Sequence, residues 1–176
     1  MRNDCSFENF RVDESNRFAV VVSKEFSKPH SFLNPLFLYG PSGVGKTHLL
    51  NAIALRAAEL DPSAEIRFFS AEELYLSCVC AKASGGTRSW HKQLDQADVL
   101  LIDNFEALAR NQYAQQTLAA EINRLVKKHK RVALASSAAP KQLPVLNEWL
   151  KFGFETAVAA DILENRRDTT WKTEHI

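Results

Sequence analysis

A chain of 176 residues, 45% hydrophobic and 24% charged, is long enough for one sizeable core and ordinary for a globular domain. Its formal net charge of +1 removes the bulk electrostatic case for a duplex-DNA binder, which needs many lysines and arginines facing phosphates. Cys5, Cys78 and Cys80 make no disulfide framework and no zinc ligand set, so reduced thiols in a cytoplasmic protein are expected. No run approaches the ~18–20 apolar residues of a membrane span, and no membrane partner is expected.

In chain order, helix and strand patterns alternate, which predicts a parallel sheet covered on both faces. Asn16 to Lys28 reads as a first helix with Phe18, Ala19, Val22 and Phe26 on one side. A loop from Pro29 to Pro35 leads into the apolar strand Leu36-Phe37-Leu38-Tyr39. Leu49, Leu50, Ile53, Ala54 and Ala57 mark an amphipathic helix that Asp61-Pro62 ends. Ile66 to Phe69 is the second strand, and Ser70 with Glu73 forms a capping box that opens a helix broken by Gly85-Gly86. Val99 to Ile102 is continuously apolar, as a central parallel strand should be. A helix from Tyr113 to His129 turns Ala114, Leu118, Ile122 and Leu125 inward, Val132 to Ala135 is the fourth strand, and Thr156 to Ala160 a fifth.

Between the first strand and its helix stands Gly40-Pro41-Ser42-Gly43-Val44-Gly45-Lys46-Thr47, a complete G-x-x-x-x-G-K-[ST] phosphate loop. Its glycines let the backbone wrap a β-phosphate, amides at the helix start (through His48) point inward, and Lys46 neutralises the β/γ-phosphates. Thr47 is the expected Mg²⁺ ligand. Asp103 closes the third strand and supplies the second half of such a site, orienting the water shell of the ion. The next residue is Asn104, where many P-loop ATPases carry a carboxylate. An amide hydrogen-bonds a water but takes no proton from it. ATP or ADP binding with Mg²⁺ is therefore expected, and fast hydrolysis is not.

Several segments together resemble one family. Phe7-Glu8-Asn9-Phe10-x-Val12, Ser15-Asn16-Arg17-Phe18-Ala19, Asn34 to Gly40, Gly45 to Ile53, Ser70 to Leu74, Leu100 to Asp103 and Pro140-Lys141-x-Leu143 are similar to the AAA+ domain of the bacterial replication initiator DnaA. The resemblance covers Phe7 to about Ile162. It implies an α/β P-loop fold of AAA+ type, a three-layer sandwich around a five-stranded parallel sheet. Residues 1–35 would contribute to the nucleotide pocket, 36–163 form the core, and 164–176 be a tail or a truncated start of a lid, the lid itself being absent. Phe10, Val12 and Asn16 would line the base pocket; the residues alone give an apolar pair and a helix N-cap.

The chain departs from the family at informative places. Asn104 replaces a second acid, and Ser137 stands where the family's γ-phosphate sensor is an Asp. Both are catalytic positions in degenerate form. In Trp149-Leu150-Lys151-Phe152-Gly153-Phe154 the family has arginines, one of them a finger on the neighbouring subunit's ATP; here that position is Gly153, with Lys151 the nearby cation. Arg166 and Arg167 fall where a lid would start. The resemblance thus leaves an excised nucleotide-binding base or a stand-alone paralogue.

Other features have competing readings. Lys127-Lys128-His129-Lys130-Arg131 is a solvated helix end or a nucleic-acid patch. Arg110 is a loop arginine or a single-strand DNA contact, Trp90 a core aromatic or a base-stacking one, and Gln142 to Leu146 faintly matches a sliding-clamp-binding peptide. Three function classes follow: a DnaA-like ATP-binding protein of replication initiation or its regulation, a helicase-loader or transposition-helper ATPase of the DnaC/IstB type, and a nucleotide-gated adaptor. Expected partners are replication proteins or a DnaA-like partner, a second copy through self-association, and DNA only weakly, through assembly.

Overall fold

The computed structural model describes residues 4–139, 142–143 and 158–163. The expectations for Lys151, Gly153, Arg166 and Arg167 lie outside the described residues. Five strands, β1 (Leu36–Tyr39), β2 (Ile66–Ser70), β3 (Val99–Asp103), β4 (Arg131–Ser136) and β5 (Val158–Asp161), form one sheet in the order β2-β3-β4-β1-β5. Every pairing is parallel. Helices α1 (Arg17–Phe26), α2 (Lys46–Leu60), α3 (Ala71–Ala83), α4 (Thr87–Leu94) and α5 (Gln112–Lys127) complete the sandwich, with a 3-10 turn at Phe105–Leu108.

The two-residue alternation of strand side chains splits the core into two layers. Leu36, Leu38, Val99, Leu101, Ala133 and Ala135 face α1 and α2. Phe37, Leu100, Ile102, Val132 and Leu134 face the other way, onto α3, α5 and the 3-10 turn. Burial on both faces is why β1, β3 and β4 read as unbroken apolar runs. The alanines of β4 leave room for α2, which lies across β3 and β4.

Local chemistry sets the helix ends. Ser70 Oγ accepts the Glu73 amide at 3.2 Å while the Glu73 carboxylate accepts the Ser70 amide at 2.8 Å, the expected capping box. Asn111 Oδ1 accepts the Ala114 amide at 2.9 Å and opens α5. Asn16 does occupy the N-cap position of α1, but its side chain makes no capping bond. Its Oδ1 accepts the Asp13 amide and its Nδ2 donates to the Arg11 carbonyl, each at 3.0 Å, because those loop groups compete for it. Phe18 also departs from expectation. The buried stripe of α1 is Ala19, Val20, Val22, Ser23 and Phe26, and Phe18, a ~100° turn away from Ala19, is exposed. After the Gly85-Gly86 break, α4 is a separate short helix that the apolar pattern does not announce.

The basic run is mostly structural. Lys128 pairs with Asp95 at 2.6 Å and Lys130 with Asp98 at 3.0 Å. Arg131 is buried, and its Nη1 donates to the carbonyls of Phe26, Ser27 and Lys28 at 3.3, 2.9 and 2.8 Å. One guanidinium at the start of β4 thus satisfies the carbonyl end of α1 and fixes that helix to the sheet. Arg131→Met keeps the length and removes the donors. It is expected to cost about 2–4 kcal/mol, since three carbonyls lose a charged partner inside the protein. A urea titration reads this as a lower midpoint, and an unchanged midpoint would refute the capping role.

Candidate nucleotide-binding site

The strand order brings three strand ends together. β4 lies between β1 and β3, so the loop after Tyr39, the carboxylate of Asp103 and the Ser136-Ser137 turn meet at the carboxyl edge of the sheet, where open α/β sheets place ligands. Gly40 to Thr47 turn there from strand into α2. Two glycines are obligatory. A Cβ on Gly40 would stand 2.1 Å from the Ile162 carbonyl oxygen, and one on Gly45, whose φ is +100°, would stand 2.5 Å from the Phe10 ring. The first helical rung joins the Leu49 amide to the Gly45 carbonyl at 2.9 Å, so the amides of Lys46, Thr47 and His48 precede the ladder. Those amides and the glycine turn are the cradle that a polyphosphate fits.

Lys46 is almost completely buried, and its Nζ donates to the carbonyls of Gly40 and Pro41 at 2.7 and 2.6 Å. Burial pulls its ammonium below the usual lysine range, and the carboxylates of Glu106 and then Asp103 oppose that pull. Thr47 Oγ1 donates to Asp103 Oδ2 at 2.6 Å, and Asp103 Oδ1 accepts the Asn104 amide at 2.9 Å. Among the described residues no cluster of three or more His, Cys, Asp or Glu could hold a metal. One hydroxyl and one carboxylate in contact suit Mg²⁺, which keeps several waters, better than a cation needing a full protein cage.

The opening segment crosses the loop. Phe7 is buried against α1 and α2, the Ser6 carbonyl meets His48 Nε2 at 2.7 Å, and the Phe10 ring lies edge-on to His48 with centroids 5.1 Å apart. Phe10 therefore sits on the phosphate loop itself. Val12 is exposed, and Asn16 is buried behind it holding the 11–13 backbone. Asn104 is exposed with φ +55° and ψ +44°, a left-handed conformation that asparagine tolerates. Ser137 is exposed, and its amide donates to Glu106 Oε2 at 2.9 Å. Glu106 is the residue that motif reading overlooks; its one sequence signal is an acid three positions after Asp103.

Two alternative readings change. Trp90 packs on the core and donates from Nε1 to Ser77 Oγ at 3.0 Å, so it is no free stacking platform. Leu143 is fully buried, which takes the second residue of the clamp-peptide match out of reach; Pro144 to Leu146 lie outside the described residues. Arg110 remains exposed beyond the 3-10 turn.

A family model of the bacterial DnaA ATPase domain matches residues 1–161. The chain belongs to the bacterial DnaA ATPase-domain family. It is 32% identical to the chromosomal replication initiator protein DnaA of Corynebacterium jeikeium over 92% of this chain and 28% of that relative, so it spans under a third of that protein's length. Domain III of the Thermotoga maritima DnaA is similar in structure, with a TM-score of 0.81 and 26% identity over 92% of this chain and 68% of that one. DnaA of Aquifex aeolicus, solved with AMPPCP bound, aligns with a TM-score of 0.79 and 30% identity over 92% of this chain and 50% of that one. The DnaC helicase loader shares the fold at 16% identity and a TM-score of 0.68, over 91% of this chain and 97% of that one; this likeness is one of architecture alone. The AAA+ P-loop fold and the family expected from the sequence are both borne out. No helix among the described residues is long and apolar enough to cross a membrane.

Gly45→Ala tests how the opening segment and the loop depend on each other. The left-handed φ alone is expected to cost about 1–3 kcal/mol in a non-glycine residue, and the new methyl adds a collision with Phe10. In thermal denaturation Phe10→Ala in the same chain should recover the collision and leave the backbone strain. Strictly additive losses in the double variant would show that the ring and the loop do not meet.

Proposed function

We propose that this chain is a nucleotide-binding unit of bacterial replication initiation or of its regulation, binding ATP or ADP with Mg²⁺ and turning ATP over slowly or not at all. The observation that carries this reading is the Thr47–Asp103 contact beside a buried Lys46, inside a glycine turn whose helix-start amides precede the hydrogen-bond ladder. In the bound state the loop amides hold the β-phosphate, Lys46 leaves its own carbonyls to face the β/γ-phosphates, Thr47 ligates the ion and Asp103 orients its waters. Phe10, Val12 and Asn16, in residues 1–35, complete the pocket on the base side, with residues 36–163 as the core. The AMPPCP complex of the Aquifex aeolicus relative supports the choice of adenine nucleotide.

Asn104 and Ser137 stand at the catalytic positions without the acids that would take a proton or carry charge there. The partners that fit are replication proteins, a DnaA-like partner or a second copy, in a cytoplasmic setting. DNA is bound weakly by the single chain and more firmly through assembly, because Lys128, Lys130 and Arg131 are committed to internal contacts and a few exposed cations hold few phosphates. A nucleotide-gated adaptor is the second reading, favoured by Asn104.

Lys46→Ala removes a charge-assisted contact worth roughly 1.5–3 kcal/mol, so affinity for a fluorescent ATP analogue should fall about tenfold or more. Equal affinities would sink the assignment. Turnover by the chain alone should stay far below the ~1–10³ s⁻¹ typical of enzymes. Asn104→Asp should raise the single-turnover rate more than it alters binding; phosphate release near ~1 s⁻¹ from wild type would show the catalytic positions misassigned.

A further inference from the structure

The bond between Glu106 and Ser137 has no part in the reading above. Glu106 sits on the 3-10 turn that follows β3, and its carboxylate reaches across to the amide of Ser137, just past β4. The turn is firmly held. Phe105 and Leu108 are buried in the core layer of α3 and α5, and the buried Gln115 donates from Nε2 to the carbonyls of Leu108 and Ala109, both at 3.0 Å. β4 lies between the strand that feeds the phosphate loop and the strand that ends in Asp103, so the carboxylate bound to the amide just past β4 stands at the centre of the sheet edge.

A triphosphate differs from a diphosphate by one group, which brings negative charge and asks for donors at this edge. Lys46 is one such donor and the Ser137 amide is another. Glu106 already takes the second. We infer that Glu106 is a specificity-determining residue, whose carboxylate holds the place of a terminal phosphate and weights the site toward the nucleoside diphosphate. The inference rests on the nucleotide-site reading. To admit a triphosphate, the side chain must release the Ser137 amide and retreat, or stay and repel. Either course lowers affinity for the triphosphate, while a diphosphate leaves the bond in place.

Glu106→Gln keeps the side-chain length and an oxygen for the Ser137 amide while removing the charge. Calorimetric titration of the full chain with ATP and with ADP, each with Mg²⁺, should show ATP affinity rising roughly threefold to tenfold and ADP affinity changing less than about twofold. Glu72→Gln, an exposed carboxylate in the first turn of α3, should leave both affinities unchanged. Glu106→Ala should move the ATP-to-ADP ratio in the same direction as Glu106→Gln. A ratio that moves only in the alanine variant would assign the effect to the lost bond and overturn the charge argument. An unchanged ratio in both, or a fall in ATP affinity, would overturn it too. Wild type binding neither nucleotide would overturn the site reading itself, whereas wild type binding both, with a ratio indifferent to residue 106, would overturn only the role of Glu106.

Discussion

The geometry of the site converges on the contact between Thr47 and Asp103. These residues stand 56 positions apart in the chain, yet their side chains meet at 2.6 Å. That contact requires β4 to lie between β1 and β3, and α2 to begin at Lys46 without a linker. It also requires the loop to turn through glycine conformations that no other residue would adopt at Gly45. The two core layers serve this end. Branched and aromatic side chains fill one face of β1, β3 and β4, the alanines of β4 let α2 approach on the other, and the start of that helix arrives beside the acidic strand end.

The parts that could be read from sequence are those enforced over a few neighbouring residues. A phosphate loop is a backbone shape, so its glycines and its lysine leave a fixed pattern. Strands buried on both faces leave apolar runs, and the Ser70–Glu73 capping box is closed within four positions. The parts that could not be read depend on what stands opposite. Arg131 belongs to an apparently solvated basic run, and only the fold shows it seated under the carbonyl end of α1. Phe18 shares an apolar helix with residues that are buried, and a single helical step puts it outside. Glu106 lies in no motif, because its partner is a backbone amide 31 residues away. Trp90 is ambiguous until its indole N–H is seen to donate to Ser77 Oγ.

Several charged side chains of this chain are paired with one another inside the fold. His91 meets Glu121, Arg124 reaches both Glu121 and Asp95, and Lys128 returns to Asp95, a partly buried network that joins α4 to α5. Burial raises the carboxyl of Asp95, but the hydrogen bonds from Lys128 and Arg124 outweigh it and hold the group below the ordinary range. Asp98, on the loop before β3, is lowered in the same way by Lys130 and the Glu65 amide. Such groups give stability that is present above the unfolded carboxylate pKa and lost as pH falls through the lower folded value. The net charge of +1 is the difference between 22 Lys and Arg and 21 Asp and Glu, so composition alone gives no nucleic-acid face.

Binding and turnover draw on different parts of the molecule, and they differ in how easily each is lost. A phosphate loop holds phosphates chiefly by backbone amides whose directions are fixed by the strand–turn–helix geometry, so a side-chain substitution that keeps the turn leaves those donors in place. Proton transfer and γ-phosphate sensing rest on single side chains, and one substitution at each removes the chemistry while leaving the fold intact. In this chain the backbone cradle is complete, and the two side-chain positions carry Asn104 and Ser137. A site built this way can keep its nucleotide dependence when its catalytic power is lost.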